Sequence, residues 1–428
     1  MKTLCAVALC LFATAASAQD LSRAQVDRTI DEALTIIEQK FMKPMTREQL
    51  VERALNLLLQ DLDPYSRYLN PAERASFEAD TAAQFGGLGV TIGIDKDAHV
   101  PRIQYLLLDS PAREAGVQRN DLLVRIDGNV VKGWPIDKTI GVMRGKPGTV
   151  ADLLVRRGDA AELLPFKITR RTIVTPSVRG ARRDAAGKAD YMLDEKTGVG
   201  YIRISRLAAD TVAEVDRALG ELKGRGMKSL VLDLRDCVGG LLKAAVGTAD
   251  LFIDKGRILT VAGRNENATY DAEPGKYTGF PMVVMINGGT ASSGEILAGA
   301  LKDHGRATFV GERTYGKGRV QVMYPLGDGL GTLILGTGTF QRPSGKTIDR
   351  HDVPEGSADV GIMPDAGFEV VVKGDEYKGW YEMTSKFDGP LMLTAEEQLQ
   401  QVPDRVLAVA LDALMKASSL GTSSSRTD

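Results

Sequence analysis

The chain has few cysteines, and this scarcity excludes a fold held together by disulfides. Of its three cysteines, Cys5 and Cys10 lie close to the amino terminus and Cys237 lies far from both. We predict that the first two leave with a cleaved leader, so that Cys237 remains alone and cannot form an internal disulfide. Stability must then come from apolar burial, which a hydrophobic content of 43% permits.

The chain also lacks the residue patterns that bind metals and nucleotides. It has only three histidines, none of them in HExxH spacing, and it has no paired CxxC motif. The sequence therefore predicts no metal site. Its glycine-rich stretches do not have the spacing of a phosphate-binding loop, which excludes a nucleotide site of that kind. We predict that the protein works without a cofactor.

The chain has no large excess of positive or negative charge. The 54 Lys and Arg residues nearly balance the 56 Asp and Glu residues, which gives a formal net charge of −2 at pH 7. A protein that binds nucleic acid usually has a basic surface that neutralises phosphates. The sequence therefore predicts no nucleic-acid partner.

An apolar run stands at the amino terminus. Lys2 precedes an apolar stretch from Leu4 to Ala15, and the small residues Ala16-Ser17-Ala18 follow it. This order is typical of a secretory signal peptide, so we predict that residues 1–18 are removed by cleavage after Ala18. A retained membrane anchor is the alternative, but the run is shorter than the about 20 residues that a spanning helix needs.

Both ends of the remaining chain have helical patterns. Apolar residues recur at helical spacing over residues 22–42, and Thr46-Arg47-Glu48-Gln49 has the spacing of a capping box. Thr394–Ala417 also places apolar residues on one helical face. We predict a helical N-terminal region over residues 19–82 and a helical C-terminal region with a tail over residues 376–428.

The middle of the chain changes from short strands and turns to an alternation of strands and helices. Residues 83–170 contain short apolar segments separated by glycine turns. Later segments such as Gly198–Ile204 and Lys228–Leu234 are predicted strands, and predicted helices lie between them. Because such alternation favours α/β layers, we assign residues 171–375 to one α/β domain.

A serine stands at the start of a predicted helix. Gly288–Ile296 reads GGTASSGEI, and the helix is predicted over Ser292–Asp303. Backbone N–H groups at a helix N-terminus are unpaired and favour negative charge, which suits a serine whose carbonyl substrate becomes an oxyanion. The alternative is that Ser292 is only an N-cap, because serine is common there.

The segment Tyr315–Gln321 contains a candidate base for this serine. Lys317 lies between two glycines, an unusual position for a lysine that is merely solvated. An exposed lysine has a pKa of about 10.4 and is a poor base at neutral pH, but desolvation in an apolar pocket lowers that pKa. Gln321 can orient the neutral amine by accepting its hydrogen bond, whereas a carboxylate would favour the charged form.

These two motifs together resemble those of the carboxyl-terminal processing proteases, a family of Ser-Lys peptidases. Thr290–Ile296 is similar to the family's SASASEI and aligns Ser292 with the reactive serine. The resemblance implies that Ser292 is the nucleophile, Lys317 the general base and Gln321 the residue that orients the lysine. The adjacent Ser293, the alternative nucleophile, stands where the family has alanine.

A second segment is implied to form the oxyanion hole. Leu232–Gly240 resembles the family's LDLRNNPGG, and the resemblance implies that the amides of Gly239, Gly240 and Ser293 bind the oxyanion. Asp236-Cys237-Val238 stand where Asn-Asn-Pro is usual. Cys237 is either a reactive thiol or a small buried side chain, and the lack of an identifiable histidine partner favours burial.

Residues 83–170 resemble a PDZ domain, which members of this family often use to gate the active site. Gly87-Leu88-Gly89-Val90 is implied to bind the terminal carboxylate of a peptide that adds as a strand to the sheet edge. The alternative is an ordinary hairpin turn. The resemblance therefore implies protein or peptide substrates with apolar C-termini.

The resemblance extends from about residue 50 to Gly361–Asp365 and includes Leu62–Leu69, which is similar to the family's LDPxSxYL. It implies an α/β protease core of crotonase-like (ClpP-like) layering, with an inserted PDZ domain and helical terminal segments. It also implies a periplasmic serine endopeptidase that forms an acyl-enzyme. An activating adaptor protein and a homo-oligomer through the terminal helices are compatible with it.

Other interpretations are left open by the sequence. A catalytically silent peptide-binding scaffold on a protease fold is supported only by the altered Asp236-Cys237-Val238 segment. A Ser-His-Asp triad with His304 or His351 has no supporting sequence context. A crotonase-type acyl-CoA enzyme fits the glycine turns but neither the signal peptide nor the PDZ-like segment.

Overall fold

The computed structural model describes residues 22–81, 84–95, 97–107, 109–183, 188–264, 267–354, 357, 359–386 and 404–423. The predicted signal peptide lies outside the described residues, as do residues 394–403 of the predicted C-terminal helix. Within the described ranges, no helix is long and apolar enough to cross a membrane.

The N-terminal region is mainly helical, as its apolar periodicity predicts. Its elements are α1 (Arg23–Lys40), α2 (Arg47–Leu62), β1 (Arg67–Leu69) and α3 (Pro71–Thr81). The predicted capping box begins α2: the Thr46 hydroxyl accepts from the Gln49 amide, and the Gln49 side chain accepts from the Thr46 amide. The short strand β1 was not predicted.

The next segment forms a small antiparallel sheet with two short helices. Its elements are β2 (Gln84–Gly87), β3 (Val90–Ile94), β4 (Pro101–Leu106), α4 (Pro111–Glu114), β5 (Leu122–Ile126), β6 (Asn129–Val130), α5 (Ile136–Met143), β7 (Val150–Arg156), β8 (Leu163–Thr169) and β9 (Arg171–Val174). The sheet has the order β3-β4-β5-β7-β8, and β6 pairs with β5. Because β2 pairs with β9, the chain enters and leaves this unit side by side.

The remaining elements form the largest part of the protein. They are β10 (Val178–Arg179), β11 (Arg182–Arg183), β12 (Ala189–Asp190), β13 (Met192–Asp194), β14 (Val199–Ile204), α6 (Thr211–Gly224), β15 (Ser229–Asp233), α7 (Leu242–Asp250), β16 (Gly256–Gly263), β17 (Asn267–Ala272), β18 (Met282–Ile286), α8 (Ser293–Asp303), β19 (Thr308–Gly311), β20 (Arg319–Pro325), β21 (Thr332–Gln341), α9 (Gly374–Lys386) and α10 (Arg405–Ser423). A boundary between residues 375 and 376 falls inside the first turn of α9.

A central sheet of order β10-β14-β15-β18-β19 is the core of this part, and its last four strands are parallel. Side chains alternate between the two faces of a strand. In β15, Leu230 and Leu232 pack in the cluster formed with α6, α7 and α8, whereas Val231 packs with Val406 and Ala410 of α10. Both faces are therefore buried, which explains the continuous apolar runs of these strands.

A second sheet brings the N-terminal region onto the core. Its order is β1-β21-β16-β17, and β20 also pairs with β21. The register places Tyr68 of β1 opposite Leu333 of β21, and β20, which contains Gln321, also pairs with β21. The alternation of strands and helices in the sequence did not predict this antiparallel layer.

Candidate active site

Three loops that follow neighbouring parallel strands meet at one edge of the central sheet. β15, β18 and β19 are adjacent and parallel, so their carboxyl ends lie at the same edge. The loop after β15 contains Gly239, the turn after β18 leads to Ser292, and the loop after β19 contains Lys317. The topology alone therefore brings the main predicted site residues to one edge.

Ser292 has a strained backbone at the start of α8. Its φ of 55° lies in the left-handed region that residues other than glycine rarely adopt. The Thr290 hydroxyl donates to the carbonyl of Leu234 over 2.8 Å, and the Ala291 amide donates to the carbonyl of Cys237 over 2.9 Å. These bonds hold the turn against the loop after β15, which is the support that a strained residue requires.

Gly239 and Ser293 lie together beside the serine, as the oxyanion-hole prediction requires. A Cβ at Gly239, whose φ is 94°, would lie 2.9 Å from the Cβ of Ser292 and 3.0 Å from the amide nitrogen of Ser293, so only glycine fits. Ser293 is the first residue of α8, where an amide has no carbonyl of its own helix to donate to. Gly240, the next residue in the chain, lies with its backbone against the carbonyl of Leu207.

One buried carboxylate joins the backbone of the predicted nucleophile to that of the predicted base. Glu295 is fully buried. Its Oε2 accepts from the amides of Ser292 and Lys317, each over 2.9 Å. Its Oε1 accepts from the Thr314 hydroxyl over 2.6 Å and from the Gly316 amide over 2.7 Å. Burial raises the pKa of this carboxyl, although the four donors act in the opposite direction.

Lys317 has the environment of a lysine that can act as a base. Its Nζ donates to Oε1 of Gln321 over 2.7 Å and lies 4.7 Å from the ring centre of Tyr65. Burial lowers the pKa of the Lys317 amine, and the positive charge of Arg67 lowers it further. The nearby carboxylates of Asp63, Asp349 and Glu295 act in the opposite direction.

The amide of Gln321 is oriented by the N-terminal region. Its Nε2 donates to the backbone carbonyl of Tyr65 over 2.8 Å, which leaves Oε1 to face Lys317. Asp63 fixes this turn by accepting from the amides of Tyr65 and Ser66 over 2.7 and 2.8 Å. The Ser66 hydroxyl also donates to Asp63 and accepts from the Gly336 amide over 3.0 Å. The segment Leu62–Leu69 therefore belongs to the site.

Sequence reasoning did not assign Glu295 or Asp349 to the site. Asp349 is fully buried and accepts from the Gly318 amide over 2.9 Å, so it holds the other side of the lysine loop. Glu295 had a local signal, since it lies at capping-box spacing after Ser292. Asp349 had none, because it comes from a distant loop.

The side chain of Cys237 packs in the hydrophobic core. It is fully buried, and burial raises the pKa of its thiol to about 12, which keeps it protonated and unreactive at neutral pH. Its backbone carbonyl holds Ala291, and a Cβ at Gly294 would lie 3.2 Å from its Sγ. These contacts favour the buried interpretation over a reactive thiol.

The histidines have other contacts. His304 is bonded through Nε2 to the carbonyl of Arg257 over 2.7 Å, and the ring of His351 lies edge-on to Tyr65. In the described ranges, no hydrogen bond joins either histidine to Ser292, and no cluster of three or more His, Cys, Asp or Glu residues could hold a metal ion.

The predicted carboxylate-binding loop stands at the edge of the small sheet. Gly89 has a φ of 70°, and a Cβ there would overlap the side chain of Ser110. The Leu88 carbonyl accepts from Ala112 over 3.1 Å, and the buried Leu88 side chain packs in the core of this unit. Val90 begins β3, the edge strand, which contacts α5. An edge strand beside a helix is the arrangement that strand addition by a peptide requires.

Comparison with known families gives two matches. The model of peptidase family S41 matches residues 198–366, and a PDZ domain model matches residues 104–157. The first match covers the four parallel strands of the central sheet and the three loops, and the second lies within the small antiparallel unit.

Curated relatives match most of the chain. A carboxyl-terminal-processing protease of Picosynechococcus sp. is 35% identical over 81% of this chain and 80% of its own length. A carboxy-terminal-processing protease of Bartonella bacilliformis is 33% identical over 79% and 73%, respectively. Among solved structures, that of a Bacteroides fragilis protein has a TM-score of 0.50 at 16% identity and covers 90% of this chain and 97% of its own, which shows a shared fold.

We expect Glu295→Gln to loosen the site. The two oxygens of the Glu295 carboxylate each accept from buried donors, whereas a glutamine has one oxygen and one –NH₂ group. The donors that face the –NH₂ group lose their acceptor, and each such loss lowers the free energy of unfolding by about 1–3 kcal/mol. Urea denaturation should show a lower free energy of unfolding, and hydrogen exchange at the Ser292 and Lys317 amides should accelerate. Glu162→Gln, at an exposed position, is the control. Unchanged stability and exchange in Glu295→Gln would contradict this role.

Proposed function

The chain belongs to the carboxyl-terminal-processing proteases of peptidase family S41, and we propose that it cleaves peptide bonds through an acyl-enzyme on Ser292. The observation that carries the proposal is the Glu295 carboxylate, which accepts from the amides of both Ser292 and Lys317. This shared acceptor keeps the backbones of nucleophile and base at a constant separation. The Lys317–Gln321 hydrogen bond then directs the amine.

In the first step, the neutral amine of Lys317 accepts the proton of the Ser292 hydroxyl as Oγ attacks the scissile carbonyl. The carbonyl oxygen gains negative charge, which the amides of Ser293 and Gly239 stabilise at the positive end of α8. Gln321 supports the neutral amine because it offers an acceptor without a negative charge.

In the following steps, the C–N bond breaks and the Lys317 ammonium returns its proton to the leaving amine. The product is an ester between Ser292 and the N-terminal part of the substrate. A water molecule then attacks the ester with Lys317 again as base, releases a carboxylic acid and restores the serine. Each cycle consumes one water and needs no cofactor.

We propose that the PDZ domain selects substrates by their C-termini. The amides of Gly87-Leu88-Gly89-Val90 bind the terminal carboxylate, and the peptide adds as a strand beside β3. Helix α5 contacts β3, and its side chains Ile136 and Ile140 are partly buried against the core of this unit, which supports a preference for apolar terminal residues.

The domain organisation and location are also proposals. The domains are residues 1–18 (signal peptide), 19–82, 83–170 (PDZ), 171–375 (protease core of crotonase-like layering) and 376–428. The parallel order β14-β15-β18-β19 supports the layering. The sequence pattern of residues 1–18 supports export to the periplasm.

We propose that the helical N-terminal region also binds partners other than the substrate. Exposed apolar side chains on α1 and α2 offer a surface for a second copy or an activating adaptor protein: Ile30, Ile36, Leu57, Leu58 and Leu62.

We expect Ser292→Ala to abolish cleavage of an unstructured polypeptide that ends in apolar residues, because no other group forms the acyl-enzyme. Ser293→Ala should keep most of the activity, since Ser293 acts through its amide. Gel electrophoresis and mass spectrometry of the products measure both. Cleavage by Ser292→Ala at the wild-type rate would refute the proposed nucleophile.

The rate should depend on pH through Lys317. The amine is a base only when neutral, so kcat rises as the pH rises through the Lys317 pKa, which burial lowers. Gln321→Glu places a negative charge beside the ammonium, raises that pKa and should move the rising limb to higher pH. Gln104→Glu, at an exposed position, is the charge-matched control. If the rising limb of the pH–rate profile does not move in Gln321→Glu, the assignment of Lys317 as the base is contradicted.

Amidation of the substrate's C-terminus should raise KM and leave kcat nearly unchanged. The amide lacks the negative charge that the Gly87–Val90 amides bind, whereas the scissile bond is unaltered. Steady-state kinetics on paired peptides measure the effect, and a peptide with one internal Glu→Gln change controls for net charge. Equal KM values for the acid and the amide would exclude carboxylate capture.

A further inference from the structure

The loop before the oxyanion hole begins with an unusual aspartate. Asp236 has a φ of 55°, and it stands where the LDLRNNPGG pattern has asparagine. Its Oδ1 accepts from Nδ2 of Asn287 over 2.9 Å, and a Cβ at Gly289 would overlap the same oxygen. The Asp236 carboxylate is therefore in contact with the turn that leads to Ser292.

Asn287 connects this aspartate to that turn. Its Oδ1 accepts from the amide of Asp236 over 2.9 Å and from the amide of Gly289 over 3.0 Å. With the Nδ2 bond to the carboxylate, Asn287 links the turn after β18 to the loop after β15 by two hydrogen bonds, and its bond to Gly289 lies within the turn itself. Movement of Asp236 must therefore affect both sides of the predicted oxyanion hole.

A second donor to the carboxylate comes from helix α9. The Tyr377 hydroxyl lies 3.2 Å from Oδ1 and 3.1 Å from Oδ2 of Asp236. Burial, together with the charge of Asp236, raises the pKa of this hydroxyl to about 12, so it remains a donor throughout the neutral range. An acceptor-only carboxylate satisfies both donors, whereas an asparagine would direct its –NH₂ group at one of them.

The same helix also contacts the preceding loop residue. The ring of Trp380 lies 4.4 Å from the guanidinium of Arg235. Arg235 pairs with Asp233 over 2.6 Å and, through the start of α10, with Asp404 over 2.8 Å. The C-terminal region therefore contacts two consecutive residues of the loop after β15, Arg235 and Asp236. Of these two, Asp236, which Tyr377 contacts, is closer in sequence to Gly239.

We propose that Tyr377 is a positioning residue for the reaction: its hydroxyl fixes the Asp236 carboxylate and thereby keeps the Gly239 amide aligned for the oxyanion. This role rests on the proposed function of Ser292. Asp236, at the start of this loop, has a φ of 55°, and such a strained residue relaxes unless its contacts hold it. An oxyanion forms only in the transition state, so misalignment acts on kcat rather than on KM.

The test uses Tyr377→Phe in the full chain, which removes the hydroxyl and keeps the ring. We expect kcat to fall about 10-fold, with KM within twofold of the wild-type value, an unmoved rising limb in the pH profile and an unchanged Tm. The affinity of a peptide aldehyde, whose adduct carries an oxyanion, should fall by a similar factor. Tyr381→Phe, on the same helix, is the control and should keep the wild-type kcat.

Asp236→Asn provides the second variant. It should lower kcat to a similar extent, and the double variant with Tyr377→Phe should be no slower than the slower single variant, because both changes break one contact. Multiplicative effects, or a Tyr377→Phe variant with wild-type kcat and aldehyde affinity, would overturn the positioning role. A change in KM or Tm without a change in kcat would also overturn it.

Ser292→Ala is measured in parallel. Loss of cleavage in Ser292→Ala with a wild-type kcat in Tyr377→Phe refutes the role of Tyr377 and leaves the proposed function intact. Wild-type cleavage by Ser292→Ala refutes the nucleophile and, with it, the oxyanion hole that Tyr377 is proposed to align.

Discussion

The site depends on one buried carboxylate that is shared by two loops. Glu295 accepts from the amides of Ser292 and Lys317 through the same oxygen and from Thr314 and Gly316 through the other. The two loops follow different strands, and the Tyr315 amide also joins them by donating to the carbonyl of Thr290 over 2.9 Å. A serine and a lysine can exchange a proton only over a short distance, so the backbone that carries them must not drift. Glu295 supplies this constraint from the first turn of the helix that the serine begins.

The rest of the fold buries the Glu295 carboxylate and holds the loops that donate to it in place. α6, α7 and α8 cover one face of the parallel sheet and α10 covers the other, so the strand ends that carry the loops cannot tilt independently. Three further segments approach the site from outside the sheet. The turn at Tyr65 orients Gln321, the loop at Asp349 holds Gly318, and α9 reaches Asp236. Residues distant in sequence therefore fix the positions of the groups that we propose to react.

Local patterns predicted the elements that build the site but not the contacts that align it. The helix predicted over residues 22–42 is α1, and the serine begins α8, because helix periodicity and capping are properties of adjacent residues. The contact between Tyr65 and Gln321 spans 256 residues and leaves no local signal. The same holds for β1 beside β21 and for Tyr377 beside Asp236. Antiparallel pairing of distant strands depends on packing that no single segment encodes.

Rapid-quench mass spectrometry of the reaction with an activated peptide ester shows whether Ser292 becomes acylated with Lys317 as base. We expect one added acyl group on the peptide that contains Ser292 in the wild-type protein, and none in Lys317→Ala under the same conditions. An acyl group on Ser293 or Cys237, or equal labelling of the lysine variant, would contradict it.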